Sequence, residues 1–165
     1  MTTSTAATTV STPATAPPVY GSVEEEITAR FVAYWDARHQ VLSSDTVPDP
    51  NDARLAAHAV GEQLAVVTGE VERYRDEGRR LARPDNPVGH QVVTVASVDG
   101  GSAEVQECFV DDGVIVDRAS GAVLNDRVVT LNSRGVMHRV DGVWKLAEYR
   151  VIQSWEGVAG CALES

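Results

Sequence analysis

The chain has 165 residues, 43% hydrophobic and 23% charged, with a net charge of −10 and a pI near 4.7. That length allows one domain with a buried core. The acidity, unbroken by any Lys/Arg-rich run, excludes the electrostatic footprint of a nucleic-acid binder or of a protein drawn to an anionic membrane surface. No apolar run approaches the roughly 20 residues needed for a membrane span.

Residues 1–21 are rich in Thr, Ser, Ala and Pro and carry no charge before Glu24. Such a segment lacks the apolar surface to offset its ordering entropy, so it is expected to be a disordered tail preceding a single domain at 22–165. It has neither the basic start nor the apolar stretch of a signal peptide. Two readings stand: a tail without purpose, or a spacer following a lipid anchor or signal.

Ser22 and Glu25 form a capping-box pattern, and Val23, Ile27, Phe31, Tyr34, Trp35 and Leu42 recur at helical spacing, so helix one is predicted to about Leu42. Pro48 and Pro50 mark a loop, and Asp52 can cap a second, short helix over about 52–59. The series Val60, Leu64, Val67, Val71, Tyr74, Gly78, Leu81 steps by four and three, predicting a longer helix over about 61–82 that packs on a core. After Pro87 the pattern is β. Gln91–Val98 and Ala103–Val110 flank the turn Asp99-Gly100-Gly101-Ser102. A reversal at Ala119-Ser120-Gly121 then leads to two long strands, about 127–140 and 143–155, joined by Asp141-Gly142, the signature of a type I′ turn. Helices first and antiparallel strands after predict an α+β fold with helices on one face of the sheet.

Over about Val23 to Trp155 the chain resembles the nuclear transport factor 2-like (NTF2-like, SnoaL-like) superfamily, through the order of its elements. The turn Asp141-Gly142-Val143-Trp144-Lys145-Leu146 is similar to that family's penultimate hairpin. The chain also resembles uncharacterised exported actinobacterial members, through Cys108-Phe109-Val110-Asp111-Asp112 and Trp155-Glu156-Gly157-Val158-Ala159-Gly160-Cys161. The resemblance implies a cone-shaped curved antiparallel sheet packed against N-terminal helices, with a conical pocket. It implies no reaction, because this superfold hosts dehydratases, isomerases, hydrolases and non-catalytic binders. No residue matches the family's catalytic motifs, so none is carried over.

The residues themselves give little chemistry. His39, His58, His90 and His138 fall in four different elements, with no metal-ligand spacing, so no metal or other cofactor is expected. No nucleophile elbow or phosphate loop is present. Cys108 on a strand and Cys161 in a tail that can return across the sheet form a candidate disulfide, which would imply an oxidising compartment; two reduced, buried thiols in a cytosolic protein are the alternative.

An unslipped register from Val140/Val143 would set Arg139/Trp144, Met137/Leu146, Gly135/Glu148, Ser133/Arg150 and Leu131/Ile152 on one face. That places a polar island of Glu148, Arg150 and Ser133 on an apolar, concave face, with space above Gly135, as in a small-molecule pocket. Glu107 and Tyr34 are further candidates to line it. The plainer alternative is a structural Glu148–Arg150 ion pair, or a bulge at Gly135 that turns both outward. The opposite face would carry Val128, Tyr149, Val151 and Trp155, an apolar patch suited to a homodimer, which the family resemblance also implies. Three functional readings follow. The first is a non-catalytic small-molecule-binding or accessory protein, exported. The second is a lyase, isomerase or hydrolase with Glu148 as general base, and the third an interaction module acting through its sheet.

Overall fold

The structure is a computed structural model and describes residues 18–161, so most of the expected tail lies outside the described residues. Helix α1 runs Val23–Ser43, α2 Ala53–His58 and α3 Gly61–Asp76. The strands are β1 Arg79–Ala82, β2 His90–Asp99, β3 Ser102–Asp111, β4 Val114–Asp117, β5 Val123–Asn125, β6 Val129–Val140 and β7 Val143–Glu156.

Ser22 caps α1, its hydroxyl accepting from the Glu25 N–H at 3.1 Å; the Glu25 carboxylate reaches back to the N–H of Gly21 rather than that of Ser22. Three glutamates in the first turn suit the positive end of the helix dipole. Ile27, Phe31, Tyr34, Val41 and Leu42 form one buried stripe, packed with Leu55 of α2 and Val67, Val71 and Tyr74 of α3.

The predicted third helix stops six residues early. The N–H groups of Glu77 and Gly78 return to the carbonyls of Arg73 and Arg75, and Gly78 takes φ +62°, a left-handed position that favours glycine. The chain then leaves as β1, so Leu81 reaches the core on a strand. Strand β1 pairs with β4, and β4 with β5, giving a small sheet that closes one end of the fold. None of these three short strands was anticipated.

The main sheet is antiparallel, in the order β2-β3-β6-β7, and the helices lie across its concave face. Asp141 (φ 52°) and Gly142 (φ 81°) make the expected tight turn. From it the register runs as expected through Met137/Leu146. One bulge then sets Val136 against Glu148 and Gly135 against Tyr149, and a second lies between Asn132 and Ser133. Each slip of one residue exchanges the faces of everything beyond it. Tyr149 therefore points into the cone, whereas Glu148 and Arg150 point out.

The space expected above Gly135 is filled. A Cβ there would lie 2.9 Å from Phe31 Cε2, 2.9 Å from Val105 Cγ2 and 3.0 Å from Leu146 Cδ1. Helix α1 rests on this glycine, with Phe31 fully buried above it.

On the outer face the chain after β7 folds back over the sheet. Thr130 Oγ1 donates to the Gly157 carbonyl at 2.7 Å, and a Cys108–Cys161 disulfide, Cα–Cα 5.9 Å, pins the segment down.

Candidate functional site

The alternation of the main sheet brings Gln91 (β2), Glu107 (β3), Ser133 (β6) and Tyr149 (β7) onto the concave face, where Glu107 and Ser133 are direct cross-strand neighbours. Glu107 and Ser133 are both fully buried. Gln91 Nε2 donates to one Glu107 oxygen, and the Tyr149 hydroxyl lies 2.7 Å from the other and 2.8 Å from Ser133 Oγ. With one phenolic proton to give, Tyr149 donates to Glu107 and accepts from Ser133.

Burial pushes the Glu107 carboxyl above the usual carboxylate range, although the bonds from Gln91 and Tyr149 work the other way. Burial and then the neighbouring Glu107 hold the Tyr149 phenol far above its ordinary value, so it remains a donor. Against this cluster stands an aromatic group. Trp35 meets Tyr149 edge to face at 5.0 Å and stacks on Phe109 at 6.0 Å.

Around the cluster lie three clefts of about 430, 550 and 370 Å³, the range of small-ligand sites. The first is an aromatic cleft between α1 and the ends of β2 and β3, walled by Trp35, Phe109, Leu81 and Pro87, with Gln91, His39 and His90 as neutral polar groups and Asp36, Arg38, Arg83, Asp111 and Asp112 as charged ones. The second is the groove between α1 and α3, containing Tyr34, Trp35, Gln63 and Tyr149. The third opens at the small sheet and is lined by Arg38, Arg73, Arg79 and Arg127 with Glu70 and Asp111.

Arg38 borders all three clefts. Its Nε donates to Glu70 at 2.7 Å and its Nη2 to the other Glu70 oxygen, while its guanidinium lies 5.4 Å from the Trp35 ring centroid. Burial opposes the charge, and Glu70 more than offsets it, so Arg38 stays charged. Burial, and then Arg83 and Arg38, push His39 below its ordinary pKa. Among the described residues no group of three or more His, Cys, Asp and Glu side chains converges to hold a metal ion.

The expected site residues divide. Glu107 and Ser133 join one cluster. Tyr34 faces the same interior but is engaged elsewhere, its hydroxyl accepting from Gln63 Nε2 at 2.6 Å. Glu148 and Arg150 form a loose pair at 3.4 Å on the outer face, their side chains 42% and 72% exposed, beside Glu104, Arg134 and Ile152. The polar island is thus split by the bulges: Ser133 stays in the cone, and the acid beside it there is Glu107, not Glu148.

Sequence reasoning missed Gln91, Tyr149 and Arg38, yet signals existed. The large apolar residues of β7 switch from even positions (Trp144, Leu146) to odd ones (Tyr149, Val151), which betrays the bulge. Arg38 follows Phe31, Tyr34 and Trp35 on the core-facing side of α1, where an arginine needs a partner.

No protein-family model matches the chain, and no curated protein matches it by sequence. Solved structures do. The intermembrane-space region of the chloroplast protein ARC6 is 19% identical, with TM-score 0.52 over 76% of this chain and 95% of that one. A Novosphingobium aromaticivorans protein provisionally assigned as an aromatic ring hydroxylase is 18% identical, with TM-score 0.44 over 79% of this chain and 94% of that one. A Xanthomonas campestris protein, provisionally assigned as a calcium/calmodulin-dependent protein kinase II association domain, is 12% identical, with TM-score 0.40 over 81% and 96%. Identities this low speak to fold alone, and of the three only the ARC6 region aligns closely enough to argue from. Together with the helices laid in a curved antiparallel sheet, that likeness makes this an NTF2-like α+β fold.

Proposed function

We propose that the domain is a non-catalytic binder of small molecules, with the aromatic cleft beside Trp35 and Phe109 as its site. The observation that carries this reading is the pairing of an aromatic, cation-bordered cleft with a buried acid whose two oxygens are already bonded within the protein. Such an acid lies behind the cleft and holds Gln91 of its wall in place, and aromatic surface with convergent polar groups is what a small ligand needs. A thermal-shift series with one- and two-ring aromatic compounds tests it. A ligand that binds only the folded state at about 100 times its Kd adds about 2.7 kcal/mol of stability. Phe109→Ala should abolish the shift without unfolding the protein; no shift with any compound would reject the reading.

One observation favours a second reading. The raised pKa of Glu107 and its bond to Tyr149 are features of acid–base catalysts, so a lyase or isomerase of this fold would use Glu107 in place of the exposed Glu148. Turnover abolished by Glu107→Gln with ligand binding intact would select it.

The disulfide supports export to an oxidising compartment, tested by free-thiol titration of the protein recovered from its native host. We also propose a homodimer through the outer face of the sheet. Its apolar surface there is not the expected set: Tyr149 has turned inward and Val151 sits opposite Ser133, while Ile152 is 53% exposed beside the depression of Glu104, Arg134 and Val136. Light scattering at micromolar concentration decides between one chain's mass and two. An interaction module working through this face is the outcome in which neither ligand nor self-association is found.

A further inference from the structure

We infer that the arginine-lined cleft at the small sheet receives the acidic group of an organic anion, with Arg38 and Arg73 as the receiving side chains. This deepens the reading of the aromatic cleft as a small-molecule site, and rests on it.

The chain is strongly acidic, yet this cleft concentrates Arg38, Arg73, Arg79 and Arg127 against two acids, Glu70 and Asp111. Of these acids only Glu70 is ion-paired among the described residues. Both Glu70 oxygens accept from Arg38, and Asp111 Oδ1 accepts from the Gly113 N–H at 3.0 Å. Arg79 and Arg127 are paired with Glu77 and Glu156 near solvent. That leaves one unpaired guanidinium, Arg73, and one open edge on the paired guanidinium of Arg38. Arg73 has no ion-pair partner among the described residues. Arg38 binds Glu70 through Nε and Nη2 only, and its Nη1 has no hydrogen-bond partner among those residues.

A guanidinium with one edge held by a carboxylate is fixed in orientation, and its other edge can meet a second oxyanion.

The same cleft adjoins the aromatic one. Arg38, Leu81, Asp111 and Gly113 line both, and Arg38 also lies over the Trp35 ring. Trp35 Nε1–H is buried and has no acceptor among the described residues. An anion with its oxygens at Arg38 and Arg73 can therefore lay a flat apolar body along Trp35 and Phe109.

A matched pair of probes tests this, 1-naphthoate and its neutral isostere 1-naphthamide, each titrated into the whole chain by calorimetry. Naphthoate should bind at least about tenfold tighter than naphthamide, with the advantage shrinking as salt is raised. Arg73 does not line the aromatic cleft. Arg73→Gln on the exposed side of α3 should therefore erase most of the naphthoate advantage and leave naphthamide binding and the thermal midpoint unchanged. Equal affinities for the two probes, or an advantage untouched by Arg73→Gln, would overturn the anion assignment while leaving the aromatic cleft in place. No binding of either probe up to about 10 mM would overturn both.

Discussion

Replacing Tyr149 with Phe isolates the buried polar cluster. The ring remains against Phe31 and Trp35, so no cavity opens and only the hydroxyl is lost. That hydroxyl makes two bonds, at 2.7 Å to Glu107 and 2.8 Å to Ser133, and both partners are fully buried. Stranding a buried acceptor costs about 1–3 kcal/mol, with the upper part of that range for a charged group. We expect Tyr149→Phe to lose about 2–3 kcal/mol at neutral pH.

The loss should depend on pH. Burial has raised the Glu107 pKa above its unfolded value, so the native state holds the proton more tightly. Stability then falls as pH rises from the unfolded pKa to the folded one. Removing the Tyr149 donor strips support from the ionised form and widens that window. The penalty should shrink on acidification, where Glu107 is protonated in both variants. Urea denaturation followed by far-UV circular dichroism at neutral and acidic pH measures it. In a Glu107→Gln background the phenol loses its charged partner, and the penalty should fall by about half, to the range of neutral hydrogen bonds. A loss under about 0.5 kcal/mol, or one unchanged by Glu107→Gln, would refute the coupling of Tyr149 to a buried acid.

Other expectations follow from the same contacts. Cys161→Ser opens a cross-link spanning 53 residues and should cost about 4 kcal/mol on the chain-entropy model, read as a lower urea midpoint that added reductant reproduces in the parent chain. Arg150→Ala breaks an exposed pair at 3.4 Å and should cost under about 1 kcal/mol in the same assay; a loss of several kcal/mol would return Glu148 and Arg150 to the interior. Gly135→Ala drives a methyl group against Phe31 and Val105, both fixed in the core, and should lose about 1–3 kcal/mol by calorimetry.

What the sequence determined by itself is the set of features whose cause is local. Asp141-Gly142 makes its turn because both residues tolerate positive φ, and Ser22 starts α1 because its hydroxyl reaches an otherwise unpaired N–H. The helical stripe of α1 and the alternation of β3 and β6 needed no more than period, and with them came Tyr34, Glu107 and Ser133 as interior residues. Even the disulfide partners were readable, because the chain holds only two cysteines.

Tertiary packing decided the rest. The stripe through Gly78 and Leu81 is compatible with a helix, and only pairing of β1 with β4 makes it a strand. A hairpin pattern without a slip is locally as good as one with two bulges. The choice is made by what must fit on Gly135, where Phe31 leaves no room, and by Tyr149 finding Glu107 and Ser133 inside rather than water outside. Because a strand alternates with period two, one inserted residue moved Glu148 and Arg150 out of the cone and brought Tyr149 in. The arginine cluster was equally hidden. Arg38, Arg73, Arg79 and Arg127 come from two helices, a short strand and a loop, and only the closed end of the fold gathers them.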